Sequence, residues 1–305
     1  MIRLGLVLLF GFIAPAFAQQ AETSLANLQA EIGRMAQSAG GSVGVAVRHI
    51  QTGRRLQING DGRFPMASTV KISIAVQLLT LVDEGKLSLD KIITVRSSDM
   101  RQGSGTLVKT FDSSRPDYSV RSLLELMLID SDNSATDMLF TEAGGSGAVM
   151  ARLQALGVQG ISADRPIGRV LDDARRGRDG LATGFFRDPR DTATPAALLE
   201  LVLKIWRREA LSPERTELLL DIMYRCATGR GRLPGLLPPG TKVARKTGTL
   251  GVGVTNDVGI ITLPGDAGHV AIAVMIRESV NNLPTQERAI AEIARAVYDY
   301  FAANP

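Results

Sequence analysis

The chain has 305 residues, a formal net charge of +4 and a hydrophobic content of 45%. That length allows one large domain or two interleaved subdomains with an ample core. The basic residues are scattered except around residues 169–178, where Asp172 and Asp173 lie among four arginines. Because no aromatic residues alternate with them, we interpret this stretch as a solvated loop and expect no nucleic-acid partner.

The cysteine and histidine content argues against a disulfide framework and a metal centre. Cys226 is the sole cysteine, so it cannot form an internal disulfide, and we interpret it as a small buried apolar group. The two histidines, His49 and His269, lie in separate strand-like runs. The sequence therefore contains no His/Cys cluster, and no metal is expected.

The N-terminus has the features of a secretory signal peptide. Arg3 precedes an apolar run over residues 4–13, and an Ala-Phe-Ala motif at residues 16–18 supplies small residues for cleavage. The run is too short to span a membrane as a mature helix. We predict a signal peptide at residues 1–18 and a mature chain at 19–305 without a stable membrane anchor; a retained N-terminal anchor is the alternative.

Hydrophobic periodicity predicts two helices and a hairpin in the first part of the chain. Residues 21–39 have helical spacing, and residues 43–47 and 56–58 read as the two strands of a β-hairpin. Residues 69–82 are apolar on all sides, which predicts a buried central helix. Gly85 is expected to cap its C-terminus.

The middle of the chain is predicted to be mostly helical, and its end returns to strands. The predicted helices cover residues 120–129, 133–142, 148–156, 195–206 and 213–223. The predicted strands cover residues 242–246, 257–263 and 269–276, and an amphipathic helix follows at residues 287–301.

Strands at both ends and helices between them are typical of an α+β fold rather than of βαβ repetition. We predict one antiparallel sheet built from both termini with packed helices, plus an inserted all-helical lobe. The α/β lobe would cover about residues 19–65 and 210–305, and the helical lobe about residues 66–209. A functional site would lie in the cleft between the two lobes.

Ser68 and Lys71 are three residues apart at the start of the predicted buried helix, so they would share one of its faces. A serine hydroxyl is a weak nucleophile until a base takes its proton. Burial would favour the neutral, basic form of Lys71, and the free N–H of Ser68 could help to stabilise an oxyanion. The alternative is an N-capping serine followed by a solvent-facing lysine.

Ser131-Asp132-Asn133 follows an apolar helical run. The Ser131 hydroxyl could pass a proton to a departing nitrogen, and the Asn133 amide could hold a substrate carbonyl. Asp132 is expected to bind backbone N–H groups of its own loop. The alternative is a turn that only caps a helix.

Lys246-Thr247-Gly248 is expected to end a strand. Lys246 and Thr247 could bind a carboxylate and orient the attacked carbonyl, whereas Gly248 would permit close approach of a substrate's backbone-like edge. The N–H of Thr249 could complete an oxyanion-binding pair with that of Ser68. The alternative is the end of an edge strand, with a lysine whose stem covers apolar surface.

These three motifs, in this order, are those of class A β-lactamases and penicillin-binding proteins. Over nearly all its mature length the chain resembles class A serine β-lactamases and related penicillin-recognising serine hydrolases. Residues 188–195, 237–241 and 255–259 also look like that family. The first of these segments resembles the end of the family's Ω-shaped loop, which implies that Arg165 at the start of the loop pairs with Asp191.

The resemblance implies a β-lactamase/transpeptidase-like fold and a role for each motif residue. Ser68 would be the nucleophile, Lys71 a base or proton relay, and Ser131 a proton relay. The substrate-binding residues would be Asn133, Lys246, Thr247, Gly248 and Thr249. The ligand would be a small-molecule β-lactam or a peptidoglycan peptide, the protein would be a periplasmic monomer, and no cofactor would be required.

The Ω-shaped loop departs from the family pattern at one catalytic position. The class A pattern has a glutamate two residues after the arginine of that loop and an asparagine four residues further on, but residues 165–171 read Arg-Pro-Ile-Gly-Arg-Val-Leu. That glutamate is the accepted activator of the deacylating water. Asp172 or Asp173 could replace this glutamate. Alternatively, the two could be surface charges that balance those of Arg169 and Arg175.

Our main hypothesis from the sequence is a secreted, metal-independent β-lactamase that forms an acyl-enzyme on Ser68 and deacylates slowly. One alternative is a penicillin-binding peptidase that acts on D-Ala-D-Ala peptides. The other is a β-lactam-binding sensor that is acylated once and stays loaded. Steady turnover of a cephalosporin would indicate the β-lactamase. A single stoichiometric burst would indicate the peptidase or the sensor, and release of D-alanine from a pentapeptide would decide between those two.

Overall fold

The computed structural model describes residues 14–176, 182–251 and 253–305. Its main sheet has five antiparallel strands, which are, in spatial order, β2 (Arg55–Ile58), β1 (Ser42–His49), β9 (His269–Arg277), β8 (Val254–Thr262) and β7 (Val243–Leu250). The N-terminal hairpin thus pairs with the last strand of the chain. The sheet is built from both ends of the sequence, and the predicted α+β fold class is confirmed.

The two faces of the sheet carry side chains of different size, because successive residues of a strand point to opposite faces. The larger residues of β9 belong to the apolar cluster that also contains α1 (Ala14–Gln37) and α11 (Leu283–Ala303): Val270, Ile272, Val274 and Ile276. The intervening residues belong to the cluster that contains α9 (Pro195–Trp206): Ala271, Ala273 and Met275. The two small alanines allow α9 to lie close to the sheet.

The other helices lie between the hairpin and β7 in the chain. They are α2 (Lys71–Asp83), α3 (Leu107–Thr110), α4 (Val120–Ile129), α5 (Asn133–Glu142), α6 (Gly145–Ala155), α7 (Ile167–Arg176), α8 (Ala182–Phe185) and α10 (Pro213–Tyr224). Two short antiparallel pairs of strands join this region, β3 (Phe64–Pro65) with β6 (Thr192–Ala193) and β4 (Ile92–Thr94) with β5 (Asp117–Ser119).

Helix α2 is the centre of the helical region. Every residue from Lys71 to Thr80 is buried, and the helix contacts α4, α5, α6 and α10. A helix that is apolar on all sides needs such neighbours. After its C-cap, Gly85 has φ of +69° and donates its N–H to Val82 O, so the predicted glycine C-cap is confirmed.

The structure differs from the predicted elements at three places near the motifs. Ser68 lies in a separate 3₁₀ turn, Ala67–Val70, and α2 begins only at Lys71. Strand β7 does not end at Lys246-Thr247-Gly248 but continues to Leu250, because Leu250 still pairs with Val254 of β8. Helix α7 occupies the stretch that the sequence suggested to be a loop.

Residues 1–13 of the predicted signal peptide lie outside the described residues, and the rest of it forms the start of α1. Within residues 14–176, 182–251 and 253–305, no helix combines the length and the hydropathy needed to cross a bilayer. The boundaries of the two lobes stay a prediction.

Candidate active site

Ser68 is held where strand β7 meets the 3₁₀ turn. Ser68 is 8% exposed and lines a cleft of about 360 Å³. The preceding Ala67 has φ of +49°, a left-handed conformation that costs roughly 1–3 kcal/mol and persists only where its surroundings hold it. A Cβ on Gly248 would lie 2.5 Å from Met66 O and 3.2 Å from Ser68 N. The close approach expected at Gly248 is therefore made by the turn that carries Ser68.

Ser131 lies between two buried lysines. Lys71 Nζ donates to Ser131 Oγ over 3.1 Å, and Lys246 Nζ donates to the same oxygen over 2.9 Å. Lys71 Nζ also donates to the Ser131 carbonyl, over 2.7 Å. A hydroxyl that accepts two hydrogen bonds keeps its own proton for a third partner. Ser131 can thus donate a proton into the cleft while the two lysines contact its oxygen from behind.

The two lysines are held in different electrostatic environments. Burial, followed by the charge of Lys246, lowers the pKa of Lys71 well below its ordinary value, although Asp132 and Asp137 act in the opposite direction. Burial also lowers the pKa of Lys246, to about 8, with Arg232 adding to that effect. Near neutral pH Lys246 therefore still carries its charge, whereas Lys71 is shifted towards the neutral amine that can accept a proton.

Asp132 fixes the loop that presents Ser131. Its Oδ1 accepts a hydrogen bond from Ala135 N at the start of α5, and its Oδ2 accepts one from Leu107 N, each over 2.8 Å. These contacts confirm that Asp132 binds nearby backbone groups. They also hold Ser131 at φ of +57°, a conformation that few residues other than glycine adopt.

The Asn133 side chain is oriented by three neighbours. Its Oδ1 accepts hydrogen bonds from Lys71 Nζ over 3.0 Å and from Ser104 Oγ over 3.3 Å, and its Nδ2 donates to Gln102 O over 3.1 Å. One amide hydrogen thus remains for a ligand. Ser104 also donates to the Ser131 carbonyl. It lines the cleft, and our sequence reasoning did not identify it.

Arg232 is a second functional candidate that the sequence reasoning missed. It is 3% exposed and lines the cleft. Its Nη2 donates to Thr249 Oγ1 over 2.6 Å, its Nη1 donates to Gly248 O over 3.0 Å, and its Nε pairs with Glu287. No motif surrounds Arg232, which closes the turn at residues 229–232. Only the fold reveals that it adds a cation beside Thr247 and Thr249, both in the same cleft wall.

The Arg165–Asp191 pair predicted for the neck of the Ω-shaped loop is present. Arg165 Nη1 also pairs with Asp173 Oδ2 over 2.8 Å, so Asp173 is committed to this ion-pair network. The Asp172 side chain is 56% exposed, pairs with Arg175 and lines a neighbouring cavity instead of the Ser68 cleft. The two aspartates are thus ion-paired charges, as in the second of the two interpretations.

Apolar side chains occupy the cleft wall where the family pattern has its glutamate and asparagine. Ile167 and Leu171 line the cleft together with Ala174 of α7 and Leu250 of β7. We call these four residues the apolar wall. None of the described residues that line the cleft is acidic. Among the residues covered by the structure, no group of His, Cys, Asp and Glu side chains could hold a metal ion.

The profile of the Beta-lactamase enzyme family matches residues 27–301. The chain belongs to this family. Among its relatives, the extended-spectrum β-lactamase PER-1 of Pseudomonas aeruginosa is 31% identical, and the match covers 93% of this chain and 90% of PER-1. The β-lactamase VEB-1 of the same organism is 29% identical, with 98% of this chain and 97% of VEB-1 covered.

Solved structures of β-lactamases superpose on the chain over most of its length. The TLA-3 extended-spectrum β-lactamase gives a TM-score of 0.80 at 32% identity, covering 91% of this chain and 99% of TLA-3. An ancestral class A β-lactamase gives a TM-score of 0.78 at 34% identity, covering 89% and 99%. The predicted class A serine β-lactamase family is confirmed, and with it a hydrolase that acts on the β-lactam amide bond.

Proposed function

We propose that Ser68 attacks the carbonyl carbon of a β-lactam and forms an acyl-enzyme, which water then hydrolyses slowly. The observation that carries this proposal is the buried row of hydrogen bonds Lys71–Ser131–Lys246. Lys71 takes the Ser68 proton as the Oγ–C bond forms. Ser131 gives its own proton to the β-lactam nitrogen as the C–N bond breaks, and it regains a proton from Lys71.

The substrate would be held at both sides of the attacked carbonyl. Its ring carboxylate binds between the hydroxyls of Thr247 and Thr249, where Arg232 lines the same wall and Lys246 is buried behind it. The N–H groups of Ser68 and Thr249 bind the oxyanion. Thr249 lies in β7, which is an edge strand, and alternate N–H groups of an edge strand remain unpaired. Asn133 holds the carbonyl of the acyl side chain.

Hydrolysis of the acyl-enzyme would be the slow step. A positioned general base usually contributes about 10²–10⁴ in rate. The described residues of the cleft include no carboxylate for this role, and Asp173 is bound to Arg165 instead. All the groups proposed for acylation are present in the same cleft. We therefore expect a burst of acylation followed by weak turnover.

Intact-mass spectrometry of the full chain mixed with a penicillin tests the proposal. The expected result is rapid gain of one penicillin mass, followed by slow return to the free mass. The D-Ala-D-Ala peptidase hypothesis is a second candidate, because a wall without a carboxylate suits it equally well; release of D-alanine from a pentapeptide would support it. An adduct that never decays would favour the sensor. No adduct at any time would contradict all three.

Export of the chain is a further part of the proposal. The basic residue, short apolar run and small residues before residue 19 support removal of residues 1–18 and a periplasmic location. We propose a monomer that needs no partner to complete the cleft. The mass of the protein recovered from the periplasm of an expression host would test cleavage, since an uncleaved N-terminus would contradict it.

A further inference from the structure

Helix α7 is amphipathic, with one apolar face. The apolar residues follow the three- and four-residue spacing of a helical stripe: Ile167, Val170, Leu171 and Ala174. The rest of the helix is mostly charged: Arg169, Asp172, Asp173, Arg175 and Arg176. A ten-residue helix of this composition needs a partner for its apolar stripe, because short helices are marginal alone.

That partner is the floor of the Ser68 cleft. Ala174 and Leu250 are buried in a small apolar cluster that includes Ala67, and Leu171 packs against this cluster. Ile167 is buried, whereas Leu171 is only partly covered. The apolar wall is thus a packed surface with a free side, and that side faces the cleft.

The position of the wall follows from its neighbours. Leu171 Cδ1 lies 3.7 Å from the position that a Cβ would take on Gly103, and Asn133 Nδ2 lies 2.9 Å from the same position. Arg232 also lines the cleft, hydrogen-bonded to Gly248 and Thr249 of β7. A ligand whose carboxylate is near Arg232 and whose carbonyl is at Ser68 extends its remaining substituent towards Asn133 and Leu171.

Resting on the proposed function, we propose that the apolar wall binds the acyl side chain of the β-lactam and selects substrates in which that side chain is an uncharged apolar group. Contact with Ile167 and Leu171 removes the apolar group from water, which favours binding. A cationic side chain would instead lose hydration against these residues and would also meet the positive charge of Arg175, which lines the same cleft.

The same contact lengthens the life of the acyl-enzyme. An apolar group that covers Ile167 and Leu171 fills the space beside the Ser68 ester, so that water has neither room nor a polar partner there. Substrates with an apolar side chain should thus be the fastest to acylate Ser68 and the slowest to leave it. A side chain that only added binding would change the acylation rate and not the deacylation rate.

The test compares benzylpenicillin with 6-aminopenicillanic acid, which has the same ring and carboxylate but lacks the acyl side chain. Acylation and deacylation rates of the full chain are measured by time-resolved mass spectrometry. We expect the wild-type protein to be acylated at least about tenfold faster by benzylpenicillin, the discrimination typical of an apolar pocket. Leu171→Asn should reduce this preference at least about threefold.

Two control variants separate specificity from folding. Leu171→Met keeps an apolar side chain of similar volume and should retain the preference. Arg176→Asn makes the same replacement on the charged face of α7 and should also retain it. If adducts still form, this inference would be overturned by a preference that is unchanged in a folded Leu171→Asn protein or absent from the wild type. Absence of adducts with both penicillins would overturn the proposed function itself.

Discussion

The two walls of the cleft carry different chemistry although they share one substrate. The wall formed by α2, the start of α5 and residues 246–249 of β7 is polar, and its side chains bond to one another, as in the row Lys71–Ser131–Lys246. The wall formed by α7 presents Ile167 and Leu171. The first contains every group proposed for acylation, and the second lacks the glutamate of the family pattern. Acylation and deacylation can therefore change independently.

The difference has a structural cause. Residues of the polar wall lie in the core elements of the fold, where loss of one partner leaves a buried polar group unpaired at a cost of about 1–3 kcal/mol. Helix α7 is attached by other contacts, namely the Arg165–Asp173 ion pair and the hydrogen bonds from Gly168 N to Asp137. Its attachment therefore does not depend on Ile167 and Leu171 alone.

The largest expected effect tests the polar wall. Ser68→Ala should abolish covalent labelling by penicillins and leave the thermal unfolding midpoint nearly unchanged, because the hydroxyl forms the acyl bond and does not pack the core. Ser73→Ala is the matched control: Ser73 Oγ is buried in α2 without a hydrogen-bond partner among the described residues, so labelling should persist. Labelling of the Ser68→Ala protein at the wild-type rate would contradict the assigned nucleophile.

The next largest effect tests the apolar wall. Ile167→Glu places a carboxyl group beside Ser68, where burial will raise its pKa towards the range of a useful general base. We expect deacylation to accelerate by up to about 10²–10⁴, measured as decay of the acyl-enzyme mass. Ile167→Gln is the control of nearly the same shape without a base. Equal decay rates in the two variants would show that the missing carboxylate does not limit hydrolysis.

Much of the fold was predictable because hydrophobic periodicity dominates its core elements. The predicted bounds at residues 120–129, 133–142 and 195–206 are those of α4, α5 and α9. Helix α7 was missed because six of its ten residues are polar or glycine and its apolar stripe is narrow. Its role becomes visible only when the cleft supplies the surface that the stripe covers.

The site was predictable only in part. The three motifs identified Ser68, Lys71, Ser131 and Lys246, but no local pattern brings Lys246 to Ser131 across 115 residues of sequence. The resemblance to a family placed the three motifs in one site, but the hydrogen bond between Lys246 and Ser131 was not predicted. Arg232 had no such support, because its contacts with β7 arise from a turn that carries no recognisable motif. Buried polar contacts between distant elements are set by packing, which a single sequence does not display.

A smaller effect distinguishes the two lysines of the polar wall. Burial holds the pKa of Lys246 at about 8, so its charge is lost as the pH rises through that value. Acylation by a penicillin should therefore fall as the pH rises above 8, since the ring carboxylate then loses one of its two proposed cations. Lys246→Arg keeps the charge at all these pH values, so the decline in acylation rate should move to higher pH. If the rate declines at the same pH in the Lys246→Arg protein, the titrating group is not Lys246.

The smallest expected effect concerns the charged side of α7. Asp172→Asn should change the deacylation rate by no more than about twofold, because the side chain is half exposed and lines a different cavity. Asp173→Asn breaks an ion pair with Arg165 and should lower the unfolding temperature without altering the ratio of acylation to deacylation rates. Acyl-enzyme decay measured for both variants beside thermal melts separates the two effects. A large rise in acyl-enzyme lifetime in the Asp172→Asn protein would mean that this carboxylate reaches the ester and that the apolar wall moves during turnover.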